Sequence, residues 1–134
     1  MQQSQLKKIA ENCANKITKK DFYQDPYRHL IVDNFLPDDL AQKCMDSFPE
    51  LNSNEWEHEA DDGIEVKSRT KWSSEFDIPD NIIDSVRILN SSLVLNAFSK
   101  VFGIQKLIPD PYFSGGGLNV TKKGGLLDVH VDGN

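Results

Sequence analysis

Residues 112–134 read YFSGGGLNVTKKGGLLDVHVDGN, and the architecture of the whole chain can be worked outward from them. Apolar and polar residues fall there in short segments punctuated by glycines, the pattern of antiparallel strands. Gly117 to Thr121 and Leu126 to Asp132 are predicted strands, with Lys122-Lys123-Gly124-Gly125 as the hairpin turn between them. Residues two apart in a strand share a face, so His130 and Asp132 project together while Val129 and Val131 face the other way. One imidazole nitrogen and one carboxylate oxygen can then reach one cation. They are two of the three donors of the 2-His-1-carboxylate set that holds ferrous iron with open positions. By itself His-x-Asp is a common tripeptide in a chain rich in aspartate, and it equally fits a histidine hydrogen-bonded in a turn.

Upstream of residue 104 the period changes to 3.6. Leu6, Ile9, Ala10, Cys13 and Ile17 predict an amphipathic helix over the first twenty residues, ending in Lys19-Lys20-Asp21. His29 to Phe35 has the β-branched centre of a strand, and Asn34 to Pro37 turn it into a second helix. Pro37, Asp38 and Asp39 suit that helix's first turn, and Leu40, Ala41, Cys44, Met45 and Phe48 form its apolar face. Asn52 to Asp62 reads as a polar, acidic loop around Trp56, and Ile64 to Lys67 as an edge or half-buried strand. Pro79-Asp80 opens the longest predicted helix, with a face from Ile82 to Val101 and a stop at Gly103. Gln105 to Ile108 is a further predicted strand.

The chain has 134 residues, 38% of them hydrophobic, enough for one modest domain with a core. Fifteen basic against twenty-one acidic side chains give a net charge of −6, which argues against nucleic acid and anionic membranes as partners. Cys13 and Cys44 lie on apolar helix stripes outside any CxxC spacing and read as buried thiols of a reducing compartment. No signal-peptide-like or membrane-length apolar run is present, so the expected location is the cytoplasm.

Residues 112–134, with their glycine-punctuated strand, turn, apolar strand and His130-Val131-Asp132, resemble the first core hairpin of the iron(II)/2-oxoglutarate-dependent dioxygenases. The likeness is to their prolyl-4-hydroxylase-like branch. Leu30-Ile31-Val32-Asp33-Asn34-Phe35-Leu36-Pro37 is similar to the strand-to-helix passage common in that branch. The resemblance runs from Leu30 onward, and its specific part is Tyr112 to Asn134. It implies an α+β fold, with N-terminal helices packed on the opening antiparallel strands of an incomplete double-stranded β-helix, or jelly roll. Residues 1–134 then form a single domain, with 1–103 as helical and strand support and 104–134 as the first core strands. It also implies Fe(II), 2-oxoglutarate as co-substrate, ascorbate as an accessory, His130 and Asp132 as metal ligands, and Asn119 and Tyr112 as residues lining the co-substrate pocket.

The family's second histidine, the cation that anchors 2-oxoglutarate and the closing strands are expected beyond Asn134 or on a second chain. The expected activity is hydroxylase-type oxidation of an unspecified substrate, absent from the isolated chain. The alternative is a non-catalytic interaction module, or half of a split protein, pairing through its open sheet edge.

Other residues have plainer readings. His29 reads as a strand or turn histidine and His58, between Glu57 and Glu59, as a solvated one. Gly115-Gly116-Gly117 lacks the helix start and lysine of a phosphate loop and reads as a bend in a sheet. The acidic loop lacks the glycine and spacing of a calcium-binding EF-hand. Trp56 and Trp72 read as loop anchors. Lys67, Arg69 and Lys71 alternate on one strand face and read as protection of a sheet edge, with an anionic ligand as the other possibility.

Overall fold

A computed structural model describes residues 1–61, 64–112 and 116–130; of residues 58–61 it describes the backbone alone. The fold is mixed α+β, with four α-helices and two small antiparallel sheets. The chain divides into two compact units, Met1–Phe48 with Ile78–Asp110, and Pro49–Asp77 with Pro111–Asn134. Among the described residues no helix is long and apolar enough to cross a membrane.

The first unit holds α1 (Gln3–Lys16), β1 (Phe22–Tyr23), β2 (His29–Leu30), α2 (Asp38–Asp46), α3 (Asp80–Leu89) and α4 (Ser92–Phe102). Its core is Ile9, Ala10, Cys13, Ile17, Leu40, Ile88 and Val94. The apolar stripe of α1 is thus the one predicted, although the helix ends at Lys16. Ile17 is already extended, and Lys19 to Asp21 make one separate 3-10 turn. The Lys16 side chain ties the end of α1 to the turn before α2, donating to the carbonyls of Asn34 and Phe35.

Four expectations in this unit are corrected. The strand His29–Phe35 shrinks to His29–Leu30, because Asn34 takes a left-handed φ of 52° and turns the chain toward α2. On α2 only Leu40 is fully buried and Cys44 partly so, whereas Ala41, Met45 and Phe48 are exposed.

The long helix from Pro79 is two helices. Ile88 and Val94 are six residues apart, and on one straight helix they would point about 120° away from each other. Both are buried in the same core. The break at Asn90-Ser91 makes that possible, and Ser91 stabilises it. Its hydroxyl accepts from Val94 N at 3.4 Å, capping α4, and donates to Ile88 O at 2.7 Å. Gly103, with φ 69°, ends α4 as its sequence position predicts. After it, Gln105–Ile108 forms no strand, and Lys106 has a positive φ of 55° that interrupts extended backbone.

The second unit is a four-stranded antiparallel sheet of β3 (Trp56–Asp61), β4 (Glu65–Thr70), β5 (Asn119–Val120) and β6 (Leu126–Leu127). The predicted acidic loop is therefore largely a strand. Its register sets Glu57 opposite Arg69, Glu59 opposite Lys67 and Asp61 opposite Glu65. Trp56 does anchor the loop before it, donating from Nε1 to Glu50 O at 2.8 Å.

β4 is the central strand rather than a protected edge, since β3 pairs on one side of it and β5 and β6 on the other. Lys67 and Lys71 find carboxylates there, Glu65 at 2.8 Å and Glu57 at 3.3 Å.

β5 and β6 do not form a hairpin. Val120 pairs with Ser68 and Leu126 with Val66, both antiparallel to β4, so the two strands run in the same direction along one flank. Thr121 to Gly125 form a turn, closed by Gly125 N to Lys122 O at 2.8 Å, but the chain leaves it in the direction it entered. The segment is a bulge in one continuing strand.

Candidate functional site

β6 carries the chain toward His130. Asp128 N donates to Ile64 O at 2.7 Å, extending the ladder one residue past Leu127. Asp128 Oδ1 accepts from the neighbouring amide, Val129 N, at 2.7 Å. Of the predicted strand Leu126–Asp132, Leu126–Leu127 is strand, residue 129 bends, and the last two residues lie outside the described set. His130 is exposed, and its Nδ1 lies 2.8 Å from Asp128 O. A carbonyl only accepts, so Nδ1 carries the proton and Nε2 the lone pair. In that tautomer Nε2 is the ring nitrogen with the chemistry of a metal donor. Val131, Asp132, Gly133 and Asn134 lie outside the described residues, as do Phe113, Ser114 and Gly115.

Asn119 is exposed on β5 opposite Arg69, and Asp128 stands opposite Ile64. Five strand positions separate those two partners along β4, about 17 Å at the rise of a strand. The structure thus does not bring Asn119 to His130. Tyr112 is exposed.

Gly117 fits the reading of a bend pressed against the sheet, since a Cβ there would lie 2.8 Å from Thr70 O. Next to it Leu118 N donates to Thr70 Oγ1 at 2.9 Å.

The other histidines keep their plain readings where they are described. His29 stacks on Tyr23 with centroids 5.1 Å apart, and its Nδ1 donates to Tyr27 O at 2.8 Å. His58 lies on β3, and its side chain is outside the described set. Among the described residues no group of three His, Cys, Asp or Glu side chains is placed to hold a metal ion.

Among the described residues, Asp77 and Cys13 depart from ordinary values, and each has a structural task. Asp77 Oδ2 accepts from Ser73 N and Ser73 Oγ, both at 2.9 Å, and from Ser74 N at 3.0 Å. These bonds, the one from the Ser73 amide foremost, hold its carboxyl below the usual range. The loop of residues 73–77 is tied by that one carboxylate. Burial pushes the Cys13 thiol up, partly offset by the Lys16 ammonium. Its Sγ donates to Phe35 O at 3.3 Å, and it belongs to the core. Cys44 Sγ lies 3.0 Å from Ser85 Oγ, and both cysteines are free thiols.

Sequence reasoning passed over a small concavity on the β5–β6 flank, of about 220 Å³, walled by Lys67, Lys122 and Lys123. Its signal was present in the two lysines of Lys122-Lys123-Gly124-Gly125. A hairpin turn would have splayed them into solvent away from Lys67, whereas a bulge gathers them on it.

Compared with protein-family models, curated proteins and solved structures, the chain finds no match in any of the three.

Proposed function

We propose that this chain contributes the His-x-Asp ligands of an iron(II)/2-oxoglutarate-dependent dioxygenase, with His130 and Asp132 as donors to the metal. The observation that carries the reading is the His130 ring, exposed beyond β6 with Nδ1–H held by Asp128 O, which leaves the lone pair on Nε2. Gly117 packed against β4 and the apolar β6 leading toward the histidine support it, although one bulged strand stands where the resemblance implies a hairpin.

Iron held by His130 and Asp132 would, with 2-oxoglutarate, supply oxygen activation for hydroxylation of a substrate. The chain's own part is to hold the metal by one nitrogen and one carboxylate oxygen. Two donors hold ferrous iron weakly. Asn119 stands too far along β4 to take part, so its assignment to the co-substrate pocket is dropped from the proposal. The fold alone does not select a substrate.

Anaerobic Fe(II) titration followed by NMR of the His130 ring tests the reading. Weak, saturable binding lost in both His130→Ala and Asp132→Ala is expected, with no succinate formed above the free-iron background. Equal iron affinity in the wild type and His130→Ala would overturn it.

A different observation favours a second reading, an interaction module that pairs with further strands. Leu127 and Val129 are 62% and 97% exposed on the β6 flank, where apolar side chains await cover. In that case self-association or partner binding is sensitive to Leu127→Lys and indifferent to His130→Ala.

A further inference from the structure

Between Val120 and Leu126 the chain sets five residues, Thr121 to Gly125, against the single residue Lys67 of β4. So large an insertion in one strand sacrifices ladder hydrogen bonds, and bulges of this kind recur where a sheet aims side chains at a ligand. What it aims here is positive charge. The concavity of about 220 Å³ under the bulge is walled by Lys67, Lys122 and Lys123, with Ser68, Gly124 and Gly125 completing the wall.

No carboxylate lines this space. Glu65 pairs with Lys67 at 2.8 Å, and among the described residues Lys122 and Lys123 have no acidic partner. Three lysines still outnumber the two nearby acidic residues, Glu65 and the register partner Glu59, in a chain whose net charge is −6. Ammonium groups gathered on one concavity repel one another, and an anion seated among them removes that repulsion while gaining charge-assisted hydrogen bonds. Gly124 has open space where a Cβ would stand, so no side chain of that residue shields the turn's backbone from a ligand.

We propose that the β5–β6 bulge is a binding site for a compact anion, a phosphate or carboxylate group carried by a small molecule. Lys122 and Lys123 hold it from the turn and Lys67 from the sheet. The site is independent of iron and of His130.

Amide-resolved NMR titrations of the full chain with inorganic phosphate, and separately with malonate, test it, with sodium chloride at matched ionic strength as the control. Saturable shifts confined to residues 66–68 and 122–125 are expected, and the tighter of the two anions identifies the group. Lys122→Glu combined with Lys123→Glu should weaken binding at least about tenfold, because two attractive charges become repulsive. Both side chains are exposed, so the melting temperature should stay unchanged. Lys67→Met should weaken binding to a lesser degree. Shifts that match chloride, or an affinity indifferent to the double charge reversal, would overturn the proposal.

Discussion

Gly125 lies so close to Val66 that a Cβ built on it would stand 2.6 Å from the Val66 carbonyl oxygen. The same Cβ would meet Thr121 Cγ2 at 2.7 Å and Lys122 O at 2.9 Å, so two of its three nearest neighbours are backbone. The last residue of the bulge therefore has to be glycine if Leu126 is to return to β4.

Replacing Gly125 with alanine forces the bulge off the sheet. Overpacking of this kind costs about 1–3 kcal/mol. Thermal unfolding followed by circular dichroism should show the loss. Amide exchange should rise at Leu126 and Asp128, whose ladder positions depend on the bulge. Gly124→Ala, at a site with open space, tests φ alone and should cost less.

Asp77 ties residues 73–77, and its contribution follows pH with a defined sign. Its folded pKa is depressed by the Ser73 and Ser74 hydrogen bonds, so the stability it supplies is complete above its unfolded value. That stability fades as pH falls through the lower, folded value. Urea midpoints of the wild type and Asp77→Ala should differ at neutral pH and converge only once pH falls below the depressed folded value. A difference that persists in acid would mean that the side chain acts by packing and not by charge.

The two thiols should separate by reactivity. Cys13 is fully buried and its pKa is raised by burial, whereas Cys44 is partly exposed beside Ser85. Alkylation of the native protein should mark Cys44 first, and Cys13 only at the rate of unfolding. Stability from holding Cys13 as a neutral thiol is complete below its ordinary value of 9.0 and is lost as pH rises through the higher folded value. Alkaline unfolding should accordingly be steeper in the wild type than in Cys13→Ala.

Ser91 makes the break between α3 and α4 possible. Ser91→Ala removes the cap on Val94 N and should cost about 1 kcal/mol, while Ser91→Asp should retain most of it. Truncating Val94, buried just beyond the cap, should cost more, on the order of 2 kcal/mol by lost packing. Denaturant midpoints of the three variants check the order.

The helical half was legible to the extent that local periodicity equals burial. Ile9, Ala10, Cys13 and Ile17 lie where their spacing put them, and Asp38, Asp39 and Gly103 punctuate helices as their chemistry predicts. Periodicity failed at Asn90-Ser91, where an unbroken apolar phase ran across a capped helix start. It failed again at residues 56–61, where alternation of charge concealed a strand whose partners are basic and on another segment. For the site, the sequence supplied the donor types at 130 and 132 and the tautomer came from the fold.

What the sequence by itself determined is which segments are helical, the break at Asn90-Ser91 apart, and the chemistry of its side chains, because turns, caps and apolar stripes act over a few neighbouring residues. Tertiary structure alone decided that β5 and β6 run end to end along one flank of β4. Lys122-Lys123-Gly124-Gly125 is compatible with a reversal or a bulge, and only the hydrogen-bond register offered by β4, with Val66 and Ser68 as partners, selects between them. That choice gathers three lysines around one concavity and leads the chain on toward His130.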